Sequence, residues 1–127
     1  MRKYDKTPIA KFWLKTETVY FNRVSLALLN KPKYVQFLYE ENKKLLLIAG
    51  NNEKLPFSLA VSKSVYLEQK KYLRICHKHL TDAFALRLGW DKSENYRVSG
   101  VLNSNLNMVV FELTQAAPYK HEQDVLE

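Results

Sequence analysis

Twice in this chain an alternation of apolar and polar residues gives way to a helical spacing, first in VYFNRVSLALLN, residues 19–30, then in KYLRICHKHLTDAFALRLG, residues 71–89. Alternation sends side chains to opposite faces of a strand, whereas a three-to-four spacing lines one side of a helix, so each stretch predicts a strand running into a helix. Setting Phe21 against Ile75 places Val19 opposite Leu73, Leu26 opposite Leu80 and Asn22 opposite Cys76. After each helix come an aromatic-led strand, a polar turn and a second strand: YVQFLY then LLLIA, and YRVSGVL then MVVFEL. One β-α-β-β unit is therefore expected twice, over residues 11–61 and 64–116. Antiparallel hairpins beside two helices predict an α+β domain, a twisted antiparallel sheet with both helices on one face and a pseudo-two-fold relation between the units.

A chain of 127 residues with 46% hydrophobic content is long enough to bury a core as one domain, expected over residues 1–116, with residues 117–127 as a flexible acidic tail. The single cysteine, Cys76, has no partner for an internal disulfide, and the start MRKYDKTPIAKFWLK lacks the apolar core of a signal peptide. No apolar run approaches the roughly 20 residues of a membrane span. A cytoplasmic protein with no membrane association is expected.

The formal charge is +7, and residues 117–127 hold one lysine against three carboxylates, which leaves +9 on residues 1–116. A field of that sign attracts polyanions and raises encounter rates with them.

In chain order, residues 11–21 predict a strand with a bulge or break near Thr16. Asn22 stands where its side-chain oxygen accepts the first amides of a helix, Asn30 suits a left-handed C-terminal residue, and Pro32 forbids continuation. Strands are predicted over residues 34–39 and 45–49, with a short one over 57–61. From Val65 to Ile75 the odd positions carry Val65, Leu67, Leu73 and Ile75, which predicts a strand with one face buried. A helix over residues 77–88 sets Leu80, Phe84 and Leu88 on one side and ends at Gly89, with Phe84 expected under Leu73, Ile75, Val109 and Phe111. Residues 96–102 and 108–113 predict the last hairpin.

With the odd residues of the leading strands buried, the even ones, Tyr20, Tyr66, Lys70, Tyr72 and Arg74, occupy the open face and interleave rings with cations. Rings stack on bases and cations meet phosphates. The candidate binding set is Lys11, Lys15, Tyr66, Lys70, Lys71, Tyr72 and Arg74; Lys71 breaks the parity and joins only if the strand bulges or ends there.

The segments FNRVSLALLNKPKYVQFLYEENKKLLLIAG and LTDAFALRLGW with YRVSGVLNSNLNMVVFELTQA resemble small uncharacterised proteins of bacteria and their mobile elements. The duplicated architecture resembles the TATA-box-binding-protein-like fold over residues 11–116. No second long helix follows either hairpin and no phenylalanine pair matches the intercalating pairs of that family. The resemblance therefore implies a shared shape and not minor-groove kinking.

Catalytic signatures are sparse. CHKHLTD places Cys76, His77, His79 and Asp82 within one stretch, but on a helix the two histidines point about 200° apart, so the stretch reads as a helix start with Cys76 as a half-buried structural thiol. Gly50, Gly89 and Gly100 stand apart and form no phosphate loop. Glu40 and Glu41 fall in a predicted turn beside Lys43 and Lys44. No catalytic residue, metal ligand or cofactor is expected. The expected function is a non-enzymatic nucleic-acid-binding or regulatory module, for DNA or RNA; the competing expectation is an interaction or assembly module with a protein partner or a homodimer, which predicts an apolar patch on that same face.

Overall fold

The computed structural model describes residues 7–67 and 72–119 of the chain. Strands β1 (Ile9–Trp13) and β2 (Thr18–Asn22) come first, then helix α1 (Arg23–Leu28) and strands β3 (Tyr34–Glu40), β4 (Leu45–Asn51) and β5 (Leu59–Ala60). Helix α2 (Lys63–Leu67), strand β6 (Tyr72–Cys76) and helix α3 (Lys78–Leu88) follow. The described residues close with β7 (Asn95–Asn103), β8 (Met108–Glu112), a 3-10 turn (Leu113–Gln115) and β9 (Ala117–Tyr119). The class is α+β: the described residues form a nine-stranded antiparallel sheet in the order β5-β3-β4-β8-β7-β1-β2-β6, with β9 on β7.

This sheet curls. Phe21 of β2 stacks on Phe37 of β3 with ring centroids 5.5 Å apart, although β2 and β3 lie near opposite ends of the strand order. Curling follows from β7, whose residues 95–99 pair with β1 while residues 100–103 pair with β8. Beyond the 3-10 turn the chain rejoins the same strand as β9, opposite Asn95, Tyr96 and Arg97. The concave side holds the core, in which Leu26 of α1 and Phe84 of α3 join Phe12, Val19, Phe21, Val35, Leu46, Ile48, Val109 and Phe111.

Four expectations need correction. Residues 11–21 are a hairpin instead of one interrupted strand: Glu17 takes φ of 56° and its N–H donates to Leu14 O at 3.2 Å, so the break near Thr16 is a full reversal. Residues 65–75 are not one strand, because Lys63–Leu67 is helical. Val65 is buried and Tyr66 also packs on the core; adjacent residues that both turn inward suit a helix turn, not a strand face. Ser62 starts that turn, its carbonyl accepting from Val65 N–H at 3.0 Å. The boundary at residue 116 moves too, since Ala117–Tyr119 is a strand of the sheet. Finally, Cys76 is exposed, with Sγ 3.8 Å from Thr18 Oγ1 across the β2–β6 pair.

The three expected helix ends are formed. Asn22 Oδ1 accepts from Ser25 N–H at 3.2 Å and from Ser25 Oγ at 2.9 Å. The same oxygen accepts from Ile9 N–H at 3.0 Å, while Nδ2 donates to Thr7 O at 3.0 Å, so one side chain caps α1 and ties down the start of β1. Asn30 takes φ of 65° after α1, and Gly89 takes φ of 67° after α3. Asn22→Ala is expected to cost about 1–2 kcal/mol, the upper end because the cap and a part-buried amide both lose their acceptor. An unchanged urea midpoint would show that Asn22 is dispensable to both.

Candidate nucleic-acid interface

The register of β9, β7, β1, β2 and β6 assembles the convex face in rows. Arg97 lies opposite Lys11, Lys11 opposite Tyr20, and Tyr20 opposite Arg74, so cation, cation, ring and cation run across four strands. A neighbouring row runs Tyr119, Asn95, Trp13, Thr18 and Cys76. Tyr72 stands opposite Asn22 at the other side of the central row. Trp13 and Tyr20 have ring centroids 4.5 Å apart, and Tyr20 meets Tyr72 edge-on at 6.0 Å. Arg74 and Arg97 are exposed on the same face.

Lys11 lies beneath these rings. It is 1% exposed, its Nζ donates to the Tyr72 hydroxyl, and it stands 4.4 Å from the centroid of Tyr72 and 5.8 Å from that of Tyr119. Trp13 Nε1 donates to the Tyr119 hydroxyl. A cation between aromatic faces is held by the ring quadrupoles as well as by its hydrogen bonds. Buried in this way, Lys11 sets the position of Tyr72 and cannot reach a phosphate.

The expected residues therefore divide. Tyr72 and Arg74 lie on the face; Lys11 shares it but is buried. Lys15 is exposed at the β1–β2 turn, where with Trp13, Thr16, Ser93 and Asn95 it lines a cleft of about 270 Å³. Its charge reaches Asp91, whose carboxyl is held below the ordinary carboxylate range first by the Ser93 N–H and hydroxyl and then by Lys15. Lys70 and Lys71 lie outside the described residues. Tyr66 is a correction: it belongs to α2, packs on the core, and its hydroxyl donates to Pro32 O at 2.6 Å. It is not available to stack on a base from the convex face.

Burial pushes the Tyr66 hydroxyl up to about 12 from its ordinary 10.0. With the folded value above the unfolded one, the contribution is fully present below pH 10 and is lost as pH rises through about 12, the unfolded chain ionising first. Tyr66→Phe is expected to lose about 1 kcal/mol at neutral pH, with the hydrogen bond to Pro32, and to flatten the alkaline limb of a stability-against-pH curve. A parallel alkaline limb in the variant would assign that limb to other groups.

Sequence reasoning missed Trp13, Arg97 and Tyr119. Trp13 has the parity of Lys11, and Arg97 alternates with Tyr96 and Val98, so a signal existed for both; Tyr119 follows a 3-10 turn that erases periodicity. Of the histidines near α3, His77 caps the helix, its Nδ1 accepting from Leu80 N–H at 3.1 Å, and its ring lies 6.5 Å from that of His79. Among the described residues, no three His, Cys, Asp or Glu side chains gather as a metal ligand set. No helix among them is long and apolar enough to cross a membrane. No protein family, curated protein or solved structure matches this chain.

Proposed function

We propose that the convex face of β7, β1, β2 and β6 binds a nucleic acid without catalysing a reaction, in a cytoplasmic setting. The observation that carries this reading is the row Arg97, Lys11, Tyr20, Arg74, in which exposed guanidinium groups flank Tyr20 and a buried cation that holds the neighbouring Tyr72. Arg74, Arg97 and Lys15 would meet phosphates, while Tyr20, Tyr72 and Trp13 offer ring surface to bases. Lys70 and Lys71 directly precede β6 in the chain and join by charge alone. Of the exposed large apolar residues among those described, Leu38, Phe57 and Leu86 belong to other elements, while Val101 and Leu102 lie on the part of β7 that pairs with β8; none lies on β1, β2 or β6, which favours the polyanion there.

We also read the chain as a duplication with a pseudo-two-fold relation, akin in shape to the TATA-box-binding-protein-like fold. In support, β2-α1-β3-β4 and β6-α3-β7-β8 share one order of elements, and β2 pairs antiparallel with β6 as β4 does with β8.

Titration of labelled single-stranded and duplex oligonucleotides, DNA and RNA, at two salt concentrations tests the binding reading. Affinity is expected to fall steeply with salt, and Arg74→Ala to weaken all sequences about equally while lowering the salt slope by about one. Tyr72→Ala is expected to act mainly on single strands, by about 1–3 kcal/mol. No binding at micromolar protein would overturn the reading and leave a protein-interaction module ahead.

A further inference from the structure

Phe57 is 98% exposed, more than any other large apolar side chain among the described residues. Its turn is firmly built. Ser58 N–H and Oγ donate to Leu55 O at 3.1 and 2.6 Å, and Gln36 Nε2 donates to Pro56 O at 2.9 Å. With Pro56 in second place, Phe57 occupies the third position at φ of 62°, where a turn of this shape takes glycine. The phenyl group therefore strains the backbone and buries nothing within its own chain.

A matching cavity lies elsewhere on the same chain. Between α1 and α2, Val24, Leu26, Ala27 and Tyr66 line a space of about 270 Å³ with Arg23 and Lys31 at its edge. An apolar cavity of about 150 Å³ accepts benzene, so this one has room for a phenyl ring, and the two cations can lie against ring faces. We propose that Phe57 of one copy enters this cavity on a second copy, reciprocally, to form a two-fold dimer. Charge bears on that occupant: of the exposed neighbours Glu53 and Lys54 on the approach to the Phe57 turn, Glu53 is complementary to Arg23 and Lys31. Only β5, the strand at the end of the sheet order, separates Phe57 from α2 along the chain, which suits one two-fold axis that closes both contacts instead of propagating a filament. Two phenylalanines with Leu55 and Leu59, each 37% exposed, offer a small apolar contact, so a weak dimer is expected, with association in the micromolar range.

Sedimentation velocity across micromolar concentrations tests this. The wild-type chain is expected to shift from monomer to dimer. Phe57→Gly relieves the strained φ, so its melting temperature should not fall below that of wild-type monomer, yet its dimer dissociation constant should rise by roughly tenfold or more. Ala27→Trp, which fills the cavity, should also be monomeric, and an equimolar mixture of the two variants should recover part of the association, because one supplies the ring and the other the open cavity. If Ala27→Trp shows no cooperative melting transition, Arg23→Glu takes its place and should repel Glu53. A wild-type monomer throughout the range, or a Phe57→Gly chain that dimerises like wild type, would overturn the proposal. Neither residue belongs to the convex face with Arg74, so oligonucleotide titration of Phe57→Gly scores the two readings separately.

Discussion

Phe84→Ala is expected to destabilise the protein by about 3–5 kcal/mol, the largest effect of any single side-chain truncation considered. Phe84 is 1% exposed, the deepest residue that α3 contributes to the core. Its ring meets Phe12 edge-on at 5.7 Å, Tyr39 at 5.4 Å and Trp90 at 6.4 Å, so the neighbours come from β1, β3 and the turn after α3. Aromatic walls have few rotamers and do not collapse into a void, which places the cost in the upper part of the range for large-to-small changes. Phe84→Leu keeps most of the volume and should cost much less. Denaturant midpoints at constant slope are the measurement; a loss under about 1 kcal/mol for Phe84→Ala would show that α3 does not seal the core.

Gly100→Ala should cost about 1–3 kcal/mol, and Gly100→Val more, for the opposite reason. A Cβ at residue 100 would stand 2.7 Å from Phe111 Cδ1 and 2.8 Å from Val110 O, closer than real contacts allow. The ring is itself 0% exposed and packed against Phe21, with centroids 5.8 Å apart, and the carbonyl is backbone, so neither neighbour can move freely. Phe111→Leu made together with Gly100→Ala should cost less than the sum of the two, because the smaller side chain vacates the contested space. Additive losses would assign the penalty to the carbonyl instead of the ring.

How far the sequence reveals this molecule depends on the range of the interaction concerned. Asn22, Asn30 and Gly89 are readable because capping acts within a few residues of chain. The α+β class is readable because periodicity is local. Helix α2 is hidden since Val65 and Leu67 have strand parity by coincidence, and only the inward turn of Tyr66 beside Val65 distinguishes the helix. Parity along a single strand over residues 11–21 sets Lys11 with Val19 and Phe21; the chain reversal at Glu17 brings it instead to the face of Tyr20 and Tyr72, where Tyr72 and Tyr119 cover the ammonium from strands far away in sequence. The candidate site is hidden for the same reason. Arg97 joins Lys11 only through the pairing of β1 with β7, and no local window contains both strands.

That pairing also sets the order in which the molecule can be completed. Strand β1 is synthesised well before β7, and Phe12 pairs with Tyr96, so one side of β1 stays unpaired until the residues of β7 are available. Until then the β1–β2 hairpin presents an open strand edge with Ile9, Phe12 and Val19 unprotected, a template for other nascent chains. Closing a contact so distant along the chain carries a large loop entropy and slows folding relative to a chain built from neighbouring hairpins. Strand β7 is thus the kinetic keystone: what arrives late in synthesis decides whether what was made early folds or aggregates.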